Sequence, residues 1–175
     1  NGDMIIVLPG HSETLTGAAA VVFDKAGITV VGLGHGDDRP TFLLDAGTTV
    51  DIDVTAADCK IVNCKFGAGY AVIVQCFDLS AEGFTLIDVE FYDNAANENF
   101  VDYIKTTTTD NECDRLTCIG CRVSSPDTGN DAFIEVGGDL DQLTIQNCFI
   151  KLGVAAGEAI ISVATGKDLT DLLCT

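Results

Sequence analysis

The chain has 175 residues, 47% of them hydrophobic, which is enough apolar content for one domain with its own core. A formal net charge of −18, with nine scattered basic residues, excludes a nucleic-acid surface, because phosphate contacts need clustered Lys and Arg. No apolar run reaches 18 residues and no basic stretch precedes one, so neither a membrane span nor a signal peptide is expected. The acidity suits a mutually repelling protein in salty surroundings. The start on Asn1 rather than Met fits a processed or excised piece.

The first coil, residues 1–26, is the least regular. Met4-Ile5-Ile6-Val7-Leu8 runs into a Pro9-Gly10 turn, and Val21-Val22-Phe23 follows. From there an eight-residue phrase returns every 25 to 32 positions: ITVVGLGH at 28–35, CKIVNCKF at 59–66, FTLIDVEF at 84–91, LTCIGCRV at 116–123 and LTIQNCFI at 143–150. Repeats thus begin near 27, 58, 83, 114 and 141. An incomplete coil, 169–175, opens a sixth copy at Leu172. Self-similarity at this period is the signature of a solenoid, whose units bury their apolar faces only by stacking.

Within the phrase, positions one and three are apolar and position two is polar or Thr, the alternation of a strand. Positions six and eight are again mostly apolar, so the alternation slips by one and the backbone must bend. The bend is expected at position five, which is Gly32, Asn63, Asp88, Gly120 and Asn147, residue types that tolerate left-handed angles. A further strand follows each phrase after a loop: 50–54, 72–76, 100–104, 133–136 and 160–163. Three short strands per repeat, with no helical pattern, predict one all-β domain over 1–175. It is a single-stranded right-handed parallel β-helix of about six coils, the hand following the usual hand of parallel crossovers. Stacking at about 4.8 Å gives a rod roughly 30 Å long. Leucine-rich repeats need a shorter unit with Leu-x-x-Leu-x-Leu spacing, which is absent.

The eight cysteines read as core filler. Cys59, Cys64, Cys118, Cys121 and Cys148 occupy inward positions where other copies carry Ile, Phe, Leu or Val, and Cys76 matches the inward side of the following strand. Position six gives a core ladder of Cys64, Val89, Cys121 and Cys148, in which Cys121 and Cys148 lie one coil apart, close enough to cross-link. Cys118-x-x-Cys121 lacks the second pair that a zinc ribbon needs.

Loops after the phrases, at 36–41, 67–71, 92–99, 124–131 and 153–158, are expected to align into an acidic ridge holding Asp37, Asp38, Asp93, Glu98, Asp127, Asp131 and Glu158. Asp37, Asp38, Asp93, Asp127 and Asp131 are the candidate Ca²⁺ ligands by donor chemistry, though no loop has a dense Asp-x-Asp-x-Asp run and solvated surface is the reading preferred. No cofactor is otherwise expected. At the last coil, Leu172, Leu173 and Cys174 have no capping charge cluster or helix after Asp171 and are the candidate assembly residues.

The phrase, as in Leu143-Thr144-Ile145-Gln146-Asn147-Cys148, resembles the right-handed parallel β-helix superfamily typified by pectate lyases, over nearly the whole chain. Residues 1–10, 27–34 and Asp38-Arg39-Pro40-Thr41 are similar to β-helix proteins of marine tailed phages and their environmental relatives. That narrower resemblance implies a non-enzymatic virion, fibre or filament component. Such a protein would be assembled from a reducing cytoplasm and found in a virion or outside the cell, with copies of itself or other virion proteins as partners. The alternative is a β-helix domain that binds or cleaves polysaccharide. Gly34-His35-Gly36 and Asp37-Asp38 superficially resemble polygalacturonase elements, but there these lie on separate coils with Asn-Thr-Asp and Arg-Ile-Lys partners, which are missing here. Arg39, Arg115, Arg122 and His11 are likewise unaccompanied, so no active-site cluster is expected.

Overall fold

Because apolar positions recur in the same order in every repeat, each coil can lay its strands on those of the coil before. A computed structural model describing residues 2–126, 128–153 and 159–175 shows this arrangement, a parallel β-solenoid of about six turns. Every pairing in it is parallel and joins strands one repeat apart.

Sheet A contains Met4–Val7, Thr29–Gly32, Lys60–Val62, Thr85–Ile87, Thr117–Ile119, Thr144–Gln146 and Leu173–Cys174. Sheet B contains Ser12–Leu15, Thr41–Leu44, Lys65–Ala68, Glu90–Asp93, Arg122–Ser124 and Phe149–Lys151. Sheet C contains Val21–Phe23, Ile52–Val54, Ile73–Leu79, Phe100–Thr106, Ala132–Val136 and Ala159–Val163. Leu140–Asp141 pairs separately with Leu169–Thr170. Among the described residues the only helical segment is a single 3₁₀ turn, Gly36–Asp38.

The inward rows close a continuous core. In sheet A, Ile61, Leu86, Cys118 and Ile145 stack in register and are buried. In sheet B, Phe42, Phe66 and Phe91 form an aromatic column with ring centroids 5.5 and 6.1 Å apart. Cys64, Val89 and Cys121 are buried and Cys148 is half-buried. Between sheets B and C, Ser125 Oγ lies 2.5 Å from Asp93 Oδ2 and 2.9 Å from Asn130 Oδ1. Asn130 Nδ2 donates to Phe100 O at 2.8 Å, so this polar corner is fastened from within.

Both ends of sheet A turn on left-handed residues. After the strand, Asn63, Asp88, Gly120 and Asn147 have φ of 57°, 53°, 65° and 53°. Before it, Gly27, Asp58, Gly83, Arg115, Gln142 and Asp171 form a second such ladder, with φ between 49° and 77°. Gly32 departs from the expected kink. It ends its strand, and the positive-φ residues at that corner are Gly34, at φ 100°, and Gly36, at φ 57°. Gly32 is required for another reason, since a Cβ there would press on the carbonyl oxygen of Asn63.

The cause is an insertion. Thr41 and Phe42 pair with Lys65 and Phe66, so residues 33–39 bulge out at the first corner of this coil. Pro40, one residue before that register pair and buried, takes the place of Cys64, while Leu33 and His35 are exposed. The loop at 36–41 therefore does not align with those at 67–71 and 92–99, which lie at the next corner.

The left-handed ladder is testable. Asn63 Nδ2 donates to Gly32 O and Gly34 O, both at 2.9 Å. Asn63→Ala loses both bonds and places a Cβ residue without side-chain compensation at positive φ, an expected cost of about 2–3 kcal/mol. Asn63→Gly, which removes the backbone penalty but also the bonds, should lose distinctly less in urea unfolding.

Candidate functional site

The expected acidic ridge divides between two corners. Asp37 and Asp38 sit in the first-corner insertion, where Asp37 is fully exposed and 3.9 Å from Lys65 Nζ. Asp93 ends a strand of sheet B against Ser125, and Asp131 is exposed just before sheet C. Asp127 and Glu158 lie outside the described residues. Insertion 33–39 is the physical reason the ridge fails to form as one line.

Carboxylates instead converge on the outer face of sheet C. Side-chain oxygens of Asp51, Asp53 and Asp78 lie within 4.8 Å of one another, the only such group of three among the described residues. The register explains the meeting: Asp53 pairs with Asp78, Asp78 with Lys105, and Lys105 with Glu135. Asp51 accepts from the amide of Ala19 at 2.6 Å. Gln75 Nε2 donates to Asp51 at 3.0 Å and to Asp78 at 3.4 Å. One strand further on, Asp102 pairs with Gln75 and is only 1% exposed, with Lys105 Nζ 3.5 Å away and 3.1 Å from Glu135.

Crowding sets the protonation of this face. Burial pushes the carboxyls of Asp53 and Asp78 upward, with repulsion from Asp51 adding to both. Burial, then the hydrogen bond and charge of Glu135, push Asp102 up to about 8, against the pull of Lys105. The proton Asp102 keeps is donated to Glu135, which is held below its ordinary value. Asp51, Asp53 and Asp78 offer the oxygens a hard cation takes, and Gln75 already supplies two of them with a donor.

The remaining candidates stay apart. Arg39 pairs with Glu90 and donates to Asp88 O at 3.2 Å. Arg122 lies over the ring of Phe149, 4.8 Å from its centroid. Arg115 bridges Asp58 and Glu82, and His11 lies 3.9 Å from Glu13. All eight cysteines are free thiols. Cys118 and Cys121 both belong to the core, and burial pushes Cys64 and Cys113 up to about 11. Cys121 and Cys148 stand one residue before the register pair Arg122 and Phe149 and so are neighbours one coil apart, as the phrase places them; their thiols point to the backbone, Cys148 Sγ lying 3.5 Å from Cys118 O. Leu172 and Cys174 continue the inward rows of sheet A and Leu173 an outward one, all three exposed.

Sequence reasoning missed Asp51, Asp53, Gln75, Asp78, Asp102, Lys105 and Glu135. A partial signal was present in one repeat, where Val50-Asp51-Ile52-Asp53 alternates apolar and acidic residues. No protein-family model, no curated protein and no solved structure matches the chain.

Two outcomes follow from this chemistry. A carboxyl whose folded pKa is raised from 3.8 to about 8 stabilises the fold below pH 4, and that stability is lost as pH rises toward 8, by up to about 1.4 kcal/mol per unit. Asp53 and Asp78 act in the same sense, and Glu135 opposes only below its ordinary value of 4.5. Asp102→Asn keeps a donor for Glu135 but not the titration, so urea midpoints should match wild type near pH 4 and exceed it at pH 8. Thiol titration of native protein should find Cys174 reacting fast and the buried six only on unfolding.

Proposed function

We propose that this chain is a non-enzymatic structural β-solenoid, a virion or fibre component that associates with copies of itself or with other structural proteins. The observation that carries the reading is the apolar surface of the last coils. Leu172 and Leu173 are 47% and 50% exposed, and Phe149 and Ile160 are each 51% exposed. Covering apolar area is worth on the order of 25 cal/mol per Å² before the costs of association. The virion setting rests on the resemblance of residues 1–10, 27–34 and 38–41 to phage β-helix proteins. The second reading, polysaccharide binding or cleavage, is favoured by the carboxyl face around Asp78, Asp102 and Glu135. That face lies on an open sheet, and no described cavity is lined by it.

With −18 per subunit, association should strengthen with salt, as the Debye length shrinks from about 30 Å at 0.01 M to about 10 Å at 0.1 M. Sedimentation across that range should show it, with Leu172→Asp weakening the effect. A species that stays monomeric throughout and binds no structural partner would sink the reading. Polygalacturonate and alginate, offered with and without Ca²⁺, should not be turned over. Cleavage abolished by Asp78→Asn would instead favour the polysaccharide reading.

A further inference from the structure

A cleft of about 310 Å³ opens where three middle coils enter sheet A, lined by Asp58, Lys60, Gly83, Thr85, Arg115 and Thr117. These six form a block. Lys60, Thr85 and Thr117 are neighbours in register, and Asp58, Gly83 and Arg115 stand two residues earlier on the left-handed corner, with φ of 59°, 74° and 63°. The turn itself does not ask for an arginine, since Gly27 and Gly83 make the same corner without the strain of a Cβ. What Arg115 adds is reach: its Nη2 lies 3.1 Å from Glu82 Oε2 and 3.3 Å from Asp58 Oδ1, two coils back. Gly83 keeps the way open, because a Cβ there would strike Asp58 Oδ1. The guanidinium is thus fixed through one nitrogen, and its Nε and Nη1 make no hydrogen bond among the described residues. Lys60, on the facing row, has no ion-pair or hydrogen-bond partner among the described residues. Thr85 Oγ1 and Thr117 Oγ1 make long bonds to Gly83 O and Arg115 O, at 3.4 and 3.5 Å.

We propose that this cleft binds an uncharged, hydroxyl-rich ligand, a neutral sugar ring. The inference goes beyond the structural reading above and stands apart from the carboxyl face of sheet C, on a different sheet and with no cleavage step. Three features select the ligand. First, no aliphatic or aromatic residue lines the cleft, so it offers nothing to an apolar molecule. Second, Asp58 and Glu82 balance Lys60 and Arg115, so the site has no net charge to spend on an ion. An anion would also meet the repulsion of a body carrying −18, and a cation would meet Lys60 and Arg115. Third, a sugar hydroxyl both donates and accepts, and here donors on Lys60 and Arg115 alternate with the carboxylates of Asp58 and Glu82 and with two hydroxyls that do both. The volume lies at the small end of the range for ligand sites, about 300–1,000 Å³, which suits a single ring. With little apolar surface to bury, binding is weak.

The test titrates the full chain with the methyl glycosides of glucose, galactose and mannose and follows the backbone amide shifts of Lys60, Gly83, Thr85 and Thr117. At least one glycoside should saturate these shifts with a dissociation constant of about 1–20 mM, while the amides of sheets B and C stay in place. Thr85→Val keeps the β-branched shape and loses the hydroxyl, so it should weaken binding about five-fold, the worth of one neutral hydrogen bond. Lys60→Gln loses a charged donor and should weaken it about ten-fold or more. Amide positions away from the cleft, unchanged from wild type, show that each variant is folded. No saturation by any of the three glycosides up to about 200 mM, or affinity unchanged in both variants, overturns the proposal. Glucuronate binding more tightly than the glucose glycoside, with that preference lost in Lys60→Gln, would make this an anion site and equally overturn it. Self-association is read by sedimentation alone, so the structural reading stands or falls separately.

Discussion

In-register parallel hydrogen bonding is the constraint on which everything else in this molecule depends. Each coil must bring the chain back to the same place one strand spacing further on, so each position stacks on its counterpart 25 to 32 residues away. Chemistry therefore accumulates in rows rather than in points. One inward row becomes an aromatic column through Phe42, Phe66 and Phe91. One outward row becomes a line of charge through Asp53, Asp78, Lys105 and Glu135, and another a ladder of aliphatic side chains through Val62, Ile87 and Ile119.

The corners enforce that return. Left-handed residues at both ends of sheet A reverse the side-chain alternation without a long loop, which keeps coils short and their register fixed. Where one coil does carry extra chain, at 33–39, the strand pairing resumes at Thr41 without slipping. The insertion is absorbed outside the sheets because moving the register by one residue would turn Phe42 and Leu44 outward. Cysteine fits the same logic, since Cys64 and Cys121 are buried next to the bend in the row that also holds Val89, serving as small apolar core residues.

How much of this was legible depended on whether a position tolerates substitution. The phrase was readable because five copies keep apolar residues at positions one and three and four of them do so at six and eight, with Asn, Asp or Gly between. The second left-handed ladder was hidden, because Arg115 and Gln142 occupy it and neither residue type announces positive φ. The insertion was hidden because Leu33 and His35 mimic the spacing of Cys64 and Phe66, and only the pairing of Phe42 with Phe66 reveals which is inside. The carboxyl face was hidden by broken alternation: Cys76 and Phe77, and again Tyr103 and Ile104, are buried in succession, so outward positions cannot be counted from one end of the strand.

The charged face of sheet C also shows what a solenoid must accept. Rows of like residues are stable when apolar and costly when acidic: burial and then Asp51 push both Asp53 and Asp78 upward, and burial and then Glu135 leave Asp102 holding its proton. Lys105 is the one cation placed in that row, between Asp78 and Glu135, where it can serve acids on both sides. Acidity thus concentrates on one sheet and in the loops, and sheet A is left nearly free of charge. A molecule of −18 whose two outward rows on the five middle strands of sheet A carry only Lys60 has gathered its charge on the other sheets, at the corners and in the loops.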